Sequence, residues 1–536
     1  MHVFFLRGIS VLPFFLLVAC GGGGGSASGN SPAISSQTAP AATPTPLPSP
    51  SQIDCSGPAC GALEGGQYAG QGVASWLYTN AGNTAAPVSV QLSNVAGRTA
   101  TLVLSNPSGD AMALLPATAS ANMLTPPAQA DHIASFNRDG FLAYMSAPAQ
   151  RVLRATRGSA EQPGASRMWV HEDESERQTT LVRQLTAQDG RIVNIWLENG
   201  QQGAGKIDDA LLDRLASRVA GRSDAAYELV TGLAGPVWGT HAIASLIAAE
   251  QPLNVVLLDF DHDAQPWGLV GYFWSRNNFT RAANARSNAA LAVFLDTETL
   301  YLGGPQAFDT TVSTLAHELT HAANFYRRGV QLYQPPASSQ AFDIWLEEMT
   351  AMMAEDLLAA RLTPGFNAVR DLRMRDWLTA TAYNCDFSVY AAADSRCNSY
   401  SVGGSFSAYL LRQYGVAFYR QLLGAQGQGD DIALLDAQLR AYGSNLGTAQ
   451  RRWQASMAGL PAGSPAGLGF PERNDAGYLL SAMDVVSIGG NLRWPASMPQ
   501  KLQAHGAYPM QRTGLGASYS ETVMLPAGAQ LTVLVQ

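Results

Sequence analysis

The sequence predicts an α+β protein whose helix-dominated central half lies between two β-rich flanks. Three observations predict this. Short runs of β-forming residues fill 63–160, among them Val88-Ser-Val-Gln-Leu92 and Ala100-Thr-Leu-Val-Leu104, separated by Gly, Asn and Pro. After Asp309, apolar residues recur at helical spacing. From about 465 the turn-rich β character returns and finishes on Gln530-Leu-Thr-Val-Leu-Val-Gln536. A chain of 536 residues implies roughly two to four domains. Its net charge of −8 argues against a nucleic-acid partner, which calls for a basic face.

The N-terminus comes first. Residues 1–19 carry one positive residue, Arg7, and then the apolar run Val11-Leu-Pro-Phe-Phe-Leu-Leu-Val18, too short to span a bilayer permanently and suited to a signal peptide. It ends in Leu17-Val18-Ala19-Cys20, which resembles a bacterial lipobox. That resemblance implies export, cleavage and lipidation of Cys20, hence a membrane anchor. With Gly21 rather than Asp next, the address implied is the outer membrane or cell surface. Residues 20–62 are rich in Gly, Ser, Ala and Pro and read as a disordered tether. The other cysteines form two close pairs, Cys55 with Cys60 and Cys385 with Cys397, expected as local disulfides in an exported chain.

Beyond the β-rich region at 63–160, a larger domain is expected over 165–460, and a C-terminal β-rich region over 465–536. Within the larger domain, Arg191-Ile-Val-Asn-Ile-Trp-Leu197, Asn254-Val-Val-Leu-Leu-Asp259, Gly271-Tyr-Phe-Trp274 and Ala290-Leu-Ala-Val-Phe-Leu295 read as strands. Asp208–Val219 reads as a helix. Asp259-Phe-Asp-His-Asp263 alternates acids as a calcium loop does, but it lacks the Gly and terminal Glu of an EF-hand and reads as a solvated strand end. His171-Glu-Asp-Glu-Ser-Glu176 reads as a surface loop.

The strongest chemical signal is His317-Glu318-Leu319-Thr320-His321, in a helix expected to be capped by Asp309. Histidines at i and i+4 share a helix face and can ligate one metal, with Glu318 beside the water it activates. A third protein ligand leaves the fourth position open for that water. The metzincin continuation fails, because Arg327 stands where its third His would be. The helix expected over Ala341–Leu358 offers Glu348, on a stripe with Ala341, Ile344, Trp345, Ala351 and Met352. A carboxylate on such a stripe needs a partner, which zinc would be. Glu347 falls on a more solvated face.

These residues carry a family resemblance. His317-Glu-Leu-Thr-His-Ala-Ala-Asn-Phe325 and Trp345-Leu-Glu-Glu-Met-Thr-Ala-Met-Met-Ala-Glu-Asp356 resemble the gluzincin metallopeptidases, in which a Trp-Leu-x-Glu segment supplies the glutamate ligand. Asn324-Phe325, the Ala-Glu-Asp tail and Tyr400-Ser-Val-Gly-Gly-Ser-Phe-Ser-Ala-Tyr409 are most similar to the hyicolysin family. The resemblance spans about 165–460 and implies a zincin-like (thermolysin-like) fold with an active-site helix and a substrate-binding edge strand, the latter expected at Ala290–Leu295. It also implies one Zn²⁺ held by His317, His321 and Glu348. Departures from the family pattern are Glu347 for Asn, Met349 for Gly, and Met352 where an Asp orients a ligand. Asn324, Glu355 and Asp356 are candidates for that orienting role.

The expected activity is hydrolysis of protein or peptide bonds, with Glu318 as general base and Tyr400 as oxyanion donor, Tyr409 and His505 standing behind it. Two other readings remain: a catalytically inactive surface-binding lipoprotein on the same fold, and an aminopeptidase. Retention of both His with Glu318 and Glu348 counts against the first. The second calls for a Gly-x-Met-Glu-Asn type segment before His317, and none is present.

Overall fold

The computed structural model describes residues 51–114, 131–145, 161–333, 340–427, 430–489, 494–495 and 497–536. The expected signal peptide, Cys20 and the tether up to residue 50 lie outside them. The first strands are β1 (Gln52–Ile53), β2 (Ala74–Thr79), β3 (Ala86–Ser93), β4 (Ala100–Ser105) and β5 (Met112–Ala113). Helical turns α1 (His132–Ser135) and α2 (Leu142–Met145) follow, joined through a π-helical turn at Phe136–Gly140. Next come β6 (Ser166–Val170), β7 (Glu176–Thr186), β8 (Ile192–Glu198), α3 (Asp209–Val219), α4 (Ala226–Ala234), β9 (Leu253–Leu258), β10 (Gly271–Phe273) and β11 (Leu291–Asp296). The helical stretch comprises α5 (Thr297–Leu302), α6 (Ala307–Asn324), α7 (Ile344–Leu362), α8 (Arg375–Ala380), α9 (Ser399–Gly424), α10 (Asp431–Ala441) and α11 (Leu446–Met457). Last are β12 (Arg473–Asp475), β13 (Tyr478–Leu480), α12 (Val485–Gly489), β14 (Lys501–Leu502), β15 (Ala507–Arg512), β16 (Ser518–Leu525) and β17 (Gln530–Val535).

Six strands form the central sheet in the order β10-β11-β9-β8-β7-β6. β8, β9 and β11 run parallel, and β10, β7 and β6 are antiparallel to their neighbours. Both faces are covered. Val193, Leu257 and Val293 meet Leu315 and Leu319 of α6 on one side, while Trp169, Trp196, Tyr272 and Phe294 pack on the other. Burial on both faces explains why β9 and β11 read as continuous apolar runs.

The two β-rich flanks expected from the sequence are joined. β17 lies between β2 and β4, and β15 pairs with β4, giving a five-stranded sheet in the order β1-β2-β17-β4-β15. β3 pairs with β16 along Ala86–Ser93, and this ribbon shares one apolar core with the sheet, built on Trp76, Val90, Leu102, Val533 and Leu525. Local β propensity marks each strand but carries no record of a partner hundreds of residues away. Residues 51–62 also belong to this unit rather than to the expected tether. β1 pairs with β2, Cys55 is bridged to Cys60, and the Asp54 carboxylate is buried against Arg451 and Arg452 of α11. Residues 131–145, read as β-rich, are helical.

Smaller differences concern helix ends. Gln306 is the N-cap of α6, and Asp309 sits inside its first turn, where a carboxylate complements the helix dipole. α7 begins at Ile344 after Asp343, so Ala341 lies outside it. Among the described residues no helix is long and apolar enough to cross a membrane.

Asp54 is 6% exposed and accepts from Arg452 Nη2 at 2.9 Å as well as from Arg451. Removing it would leave the buried guanidinium of Arg451, and the half-buried one of Arg452, without their carboxylate. Asp54→Ala should therefore lower unfolding stability by about 3–5 kcal/mol, measured by urea denaturation; a change below about 1 kcal/mol would show that this pair does not hold the β unit to α11.

Candidate active site

The site forms where α6 and α7 cross beside β10. His317 and His321, one turn apart on α6, face Glu348 on α7. His317 Nε2 is 3.0 Å and His321 Nε2 3.7 Å from Glu348 Oε2. One donor atom from each of the three residues lies within 4.8 Å of the other two. A tetrahedral zinc with bonds near 2.0–2.2 Å sets its donors about 3.3–3.6 Å apart, so this trio has the spacing and the chemistry to hold one metal ion. All three residues are buried.

The remaining ring nitrogens are held in place. His317 Nδ1 meets Glu355 Oε1 at 2.6 Å, and Ser313 Oγ donates to Glu355 Oε2 at 3.1 Å. His321 Nδ1 meets Glu347 Oε1 at 2.9 Å, and Asn324 Nδ2 donates to the same oxygen and to Thr350 Oγ1, each at 3.0 Å. Each imidazole therefore turns Nε2 toward Glu348. Burial alone would lower the His317 pKa, but its bonds to Glu348 and Glu355 outweigh that and raise it to about 9. Burial opposes ionisation of Glu348 too, and the two histidines overcome it and hold the carboxyl well below its ordinary range. The pocket thus favours positive charge between its carboxylates, as a cation site must.

Two expectations are corrected here. Glu347 is not on a solvated face but orients His321, because α7 is enclosed on several sides by α6, α9 and β13. Asp356 does not approach the histidines; it pairs with the buried Arg412 at 2.5 Å. Glu355 takes the orienting role, one turn beyond Met352. Met352 instead packs on α9, where a Cβ on Gly403 or Gly404 would stand 3.1 Å from its side chain. Those two glycines let α9 approach α7 and bring Tyr400, at its first turn, to 6.3 Å from His317 between ring centroids.

Glu318 is buried, and burial raises its carboxyl above the ordinary value. Its Oε2 accepts a 2.7 Å bond from the amide of Phe273 on β10. This also corrects the edge strand. β11, containing the residues expected at the edge, is paired on both sides, and the three-residue β10 forms the edge. Since Phe273 turns its amide outward, antiparallel alternation turns the backbone groups of Gly271 the same way. A side chain at 271 would collide with Thr314 of α6 at 2.8 Å, so glycine is what lets strand and helix approach.

Tyr400 lines the cleft, its hydroxyl 3.4 Å from that of Tyr390. Burial, then Glu348, raises its pKa well above the ordinary value. Tyr390 lies in the loop closed by the Cys385–Cys397 disulfide, and its hydroxyl is 3.2 Å from Asp131. The other two donor candidates lie elsewhere. Tyr409 donates to the Gly467 carbonyl at 2.8 Å, and His505 is buried against Phe387 and Gln450. Sequence reasoning missed Arg373, whose guanidinium lies 5.1 Å from the Tyr400 ring centroid, and Asn137. Asn137 donates to the Phe273 carbonyl at 2.8 Å and accepts from the Ser275 amide at 2.7 Å, capping the outer edge of the strand. Neither belongs to a motif, so spacing gave no signal.

A family model described as Peptidase M30 matches residues 173–536, which include every one of the α6 and α7 residues above. The chain belongs to the Peptidase M30 (hyicolysin) family. Membership implies a peptidase, and the His317, His321 and Glu348 group fits the metal-dependent kind. A second model, a domain of unknown function (DUF8571), matches residues 54–119. No curated protein matches the chain. The M30 match continues to the last strand, so it includes strands that complete the sheet begun by the DUF8571 region.

Glu355→Ala would release the His317 ring while leaving the three donors in place. The expected result is metal affinity weaker by about 10–100-fold, read by chelator competition. Unchanged affinity would remove Glu355 from the site's support.

Proposed function

We propose that this M30 peptidase is a lipid-anchored, extracytoplasmic zinc metalloendopeptidase in which His317, His321 and Glu348 hold the ion and Glu318 is the general base. The observation that carries this reading is the convergence of those three donors on one point with Glu318 one residue from His317 and beside the edge strand. Zinc bound there supplies Lewis acidity, polarising the scissile carbonyl and easing deprotonation of the attacking water.

The chain's own residues do the rest. The Phe273 amide occupies Glu318 Oε2, leaving Oε1 as the oxygen that takes the proton from water and returns it to the leaving amine. Its raised pKa suits both transfers, since a base that holds a proton moderately well can also give it back. Tyr400, kept protonated by its burial, donates to the developing oxyanion. An extended peptide pairs with the outward backbone of Gly271, and Asn137 marks where that pairing stops. The lipid anchor rests on Leu17-Val18-Ala19-Cys20 alone.

Two measurements test this. Glu318→Gln should retain bound zinc and lose about 10²–10⁴-fold of casein cleavage; cleavage at the parent rate with zinc bound defeats the general-base assignment. Mass spectrometry of the mature protein should find a diacylglyceryl-modified Cys20 at its N-terminus, and an unmodified or uncleaved Cys20 refutes the anchor.

A further inference from the structure

The loop Asp259–Asp263 looks like a solvated strand end in sequence because it lacks a terminal acid of its own. The fold supplies one from elsewhere. β9 and β11 are parallel neighbours with Leu258 opposite Asp296, so the residues that follow each strand emerge side by side. Asp259 and Asp261 follow β9, and Glu298 lies in the first turn of α5 just after β11. One carboxylate oxygen from each of these three residues lies within 4.8 Å of the other two.

Glu298 is the decisive residue. It is 4% exposed, and its buried Oε2 has no hydrogen-bond partner among the described residues. Nor does any Lys, Arg or His pair with Glu298 or Asp261 among them. Arg177 is directed to Glu198 at 3.6 Å, and His262 to Asp259, the one member of the trio that already has partners, at 3.1 Å; Asp259 Oδ2 also accepts from Gln201 Nε2 at 2.7 Å. Burial, followed by Asp259, Asp296, Asp263 and Asp261, pushes the Glu298 pKa up to about 7. Asp296 is already engaged, accepting from the Thr299 amide at 2.6 Å as the cap of α5. A buried carboxylate oxygen without a hydrogen-bond partner is unfavourable until a proton or a cation meets it.

We propose that Asp259, Asp261 and Glu298 form a structural calcium site, separate from the catalytic trio. The donors are all hard oxygens, the set that calcium prefers. Calcium–oxygen bonds of about 2.3–2.6 Å let opposite donors stand about 4.6–5.2 Å apart, which accommodates the observed spread. Asp261 is exposed, so water can complete a coordination number of about six to eight. The ion ties the 259–270 loop to the start of α5. That loop ends at β10, whose Phe273 amide holds Glu318, and α5 leads directly into α6. Calcium binding therefore stiffens both approaches to the active site without touching it.

The test uses the whole purified chain, freed of calcium with EGTA and restored to full zinc content as checked by elemental analysis. Isothermal titration with calcium chloride should show one ion bound per chain. Addition of about 5 mM calcium should raise the melting temperature by at least about 3 °C. Asp261→Asn, at an exposed position, and Glu298→Gln should each abolish most of that rise with zinc retained. Glu298→Gln should also melt no lower than the parent when both are calcium-free, because it removes an uncompensated buried acid. Absence of binding at millimolar calcium overturns the proposal. So does a full thermal shift that persists in both variants, since that places the ion elsewhere.

Discussion

Two imidazoles and three carboxylates lie between α6 and α7, nearly all removed from water, and the surrounding structure is arranged around that concentration of charge. Burying such groups is tolerable only when each is paired and the net negative charge is met by a cation. Glu348 faces both rings at once, whereas Glu355 and Glu347 each hold one ring from behind. Ser313 and Asn324, both on α6, then fix those two acids. The result is a closed circuit of hydrogen bonds across the helix pair. It sets ring orientation before any ligand arrives, which is how a metal site becomes selective in geometry.

Close packing of α9 on α7 extends this arrangement outward. Gly403 and Gly404 remove the side chains that would hold the helices apart, and Met349, Met352 and Arg373 fill the seam. Met352 illustrates a trade between packing and polarity. An apolar side chain at that position supports the helix interface, and the acid needed by His317 enters one turn later, at Glu355. The opposite wall depends on the smallest element in the sheet. β10 has three residues, yet it supplies the amide that fixes Glu318 and the open backbone beside Gly271.

Much of the site is legible in the sequence because its geometry is local. His317, Glu318 and His321 follow from the pitch of one helix, and Glu348 from the apolar stripe of another. Glu347 shows where this reasoning ends. A helical wheel divides an isolated helix into faces, but α7 is buried on nearly every side, so its supposed solvated face meets α6 and the ring of His321. β10 was placed as a strand but not as the edge, because edge position depends on the order of strands and not on their composition. Arg373 and Asn137 act by proximity across long chain separations, which no spacing rule detects. Likewise, the two β-rich flanks carry the propensity for strands without the information that they interleave.

That interleaving has a consequence in time. β17 sits between β2 and β4, with Val533 opposite Trp76 on one side and Leu102 on the other. Until Gln530–Val535 have been made, each of the two early strands keeps an inner edge with unpaired amides and carbonyls. At ribosomal rates of about 5–20 residues per second, the more than four hundred residues between β4 and β17 take roughly 20–90 seconds to synthesise. Throughout that interval the first strands cannot form their final sheet, nor can the sheet complete the surface on which α11 rests. β17 therefore acts as a lock on strands made long before it.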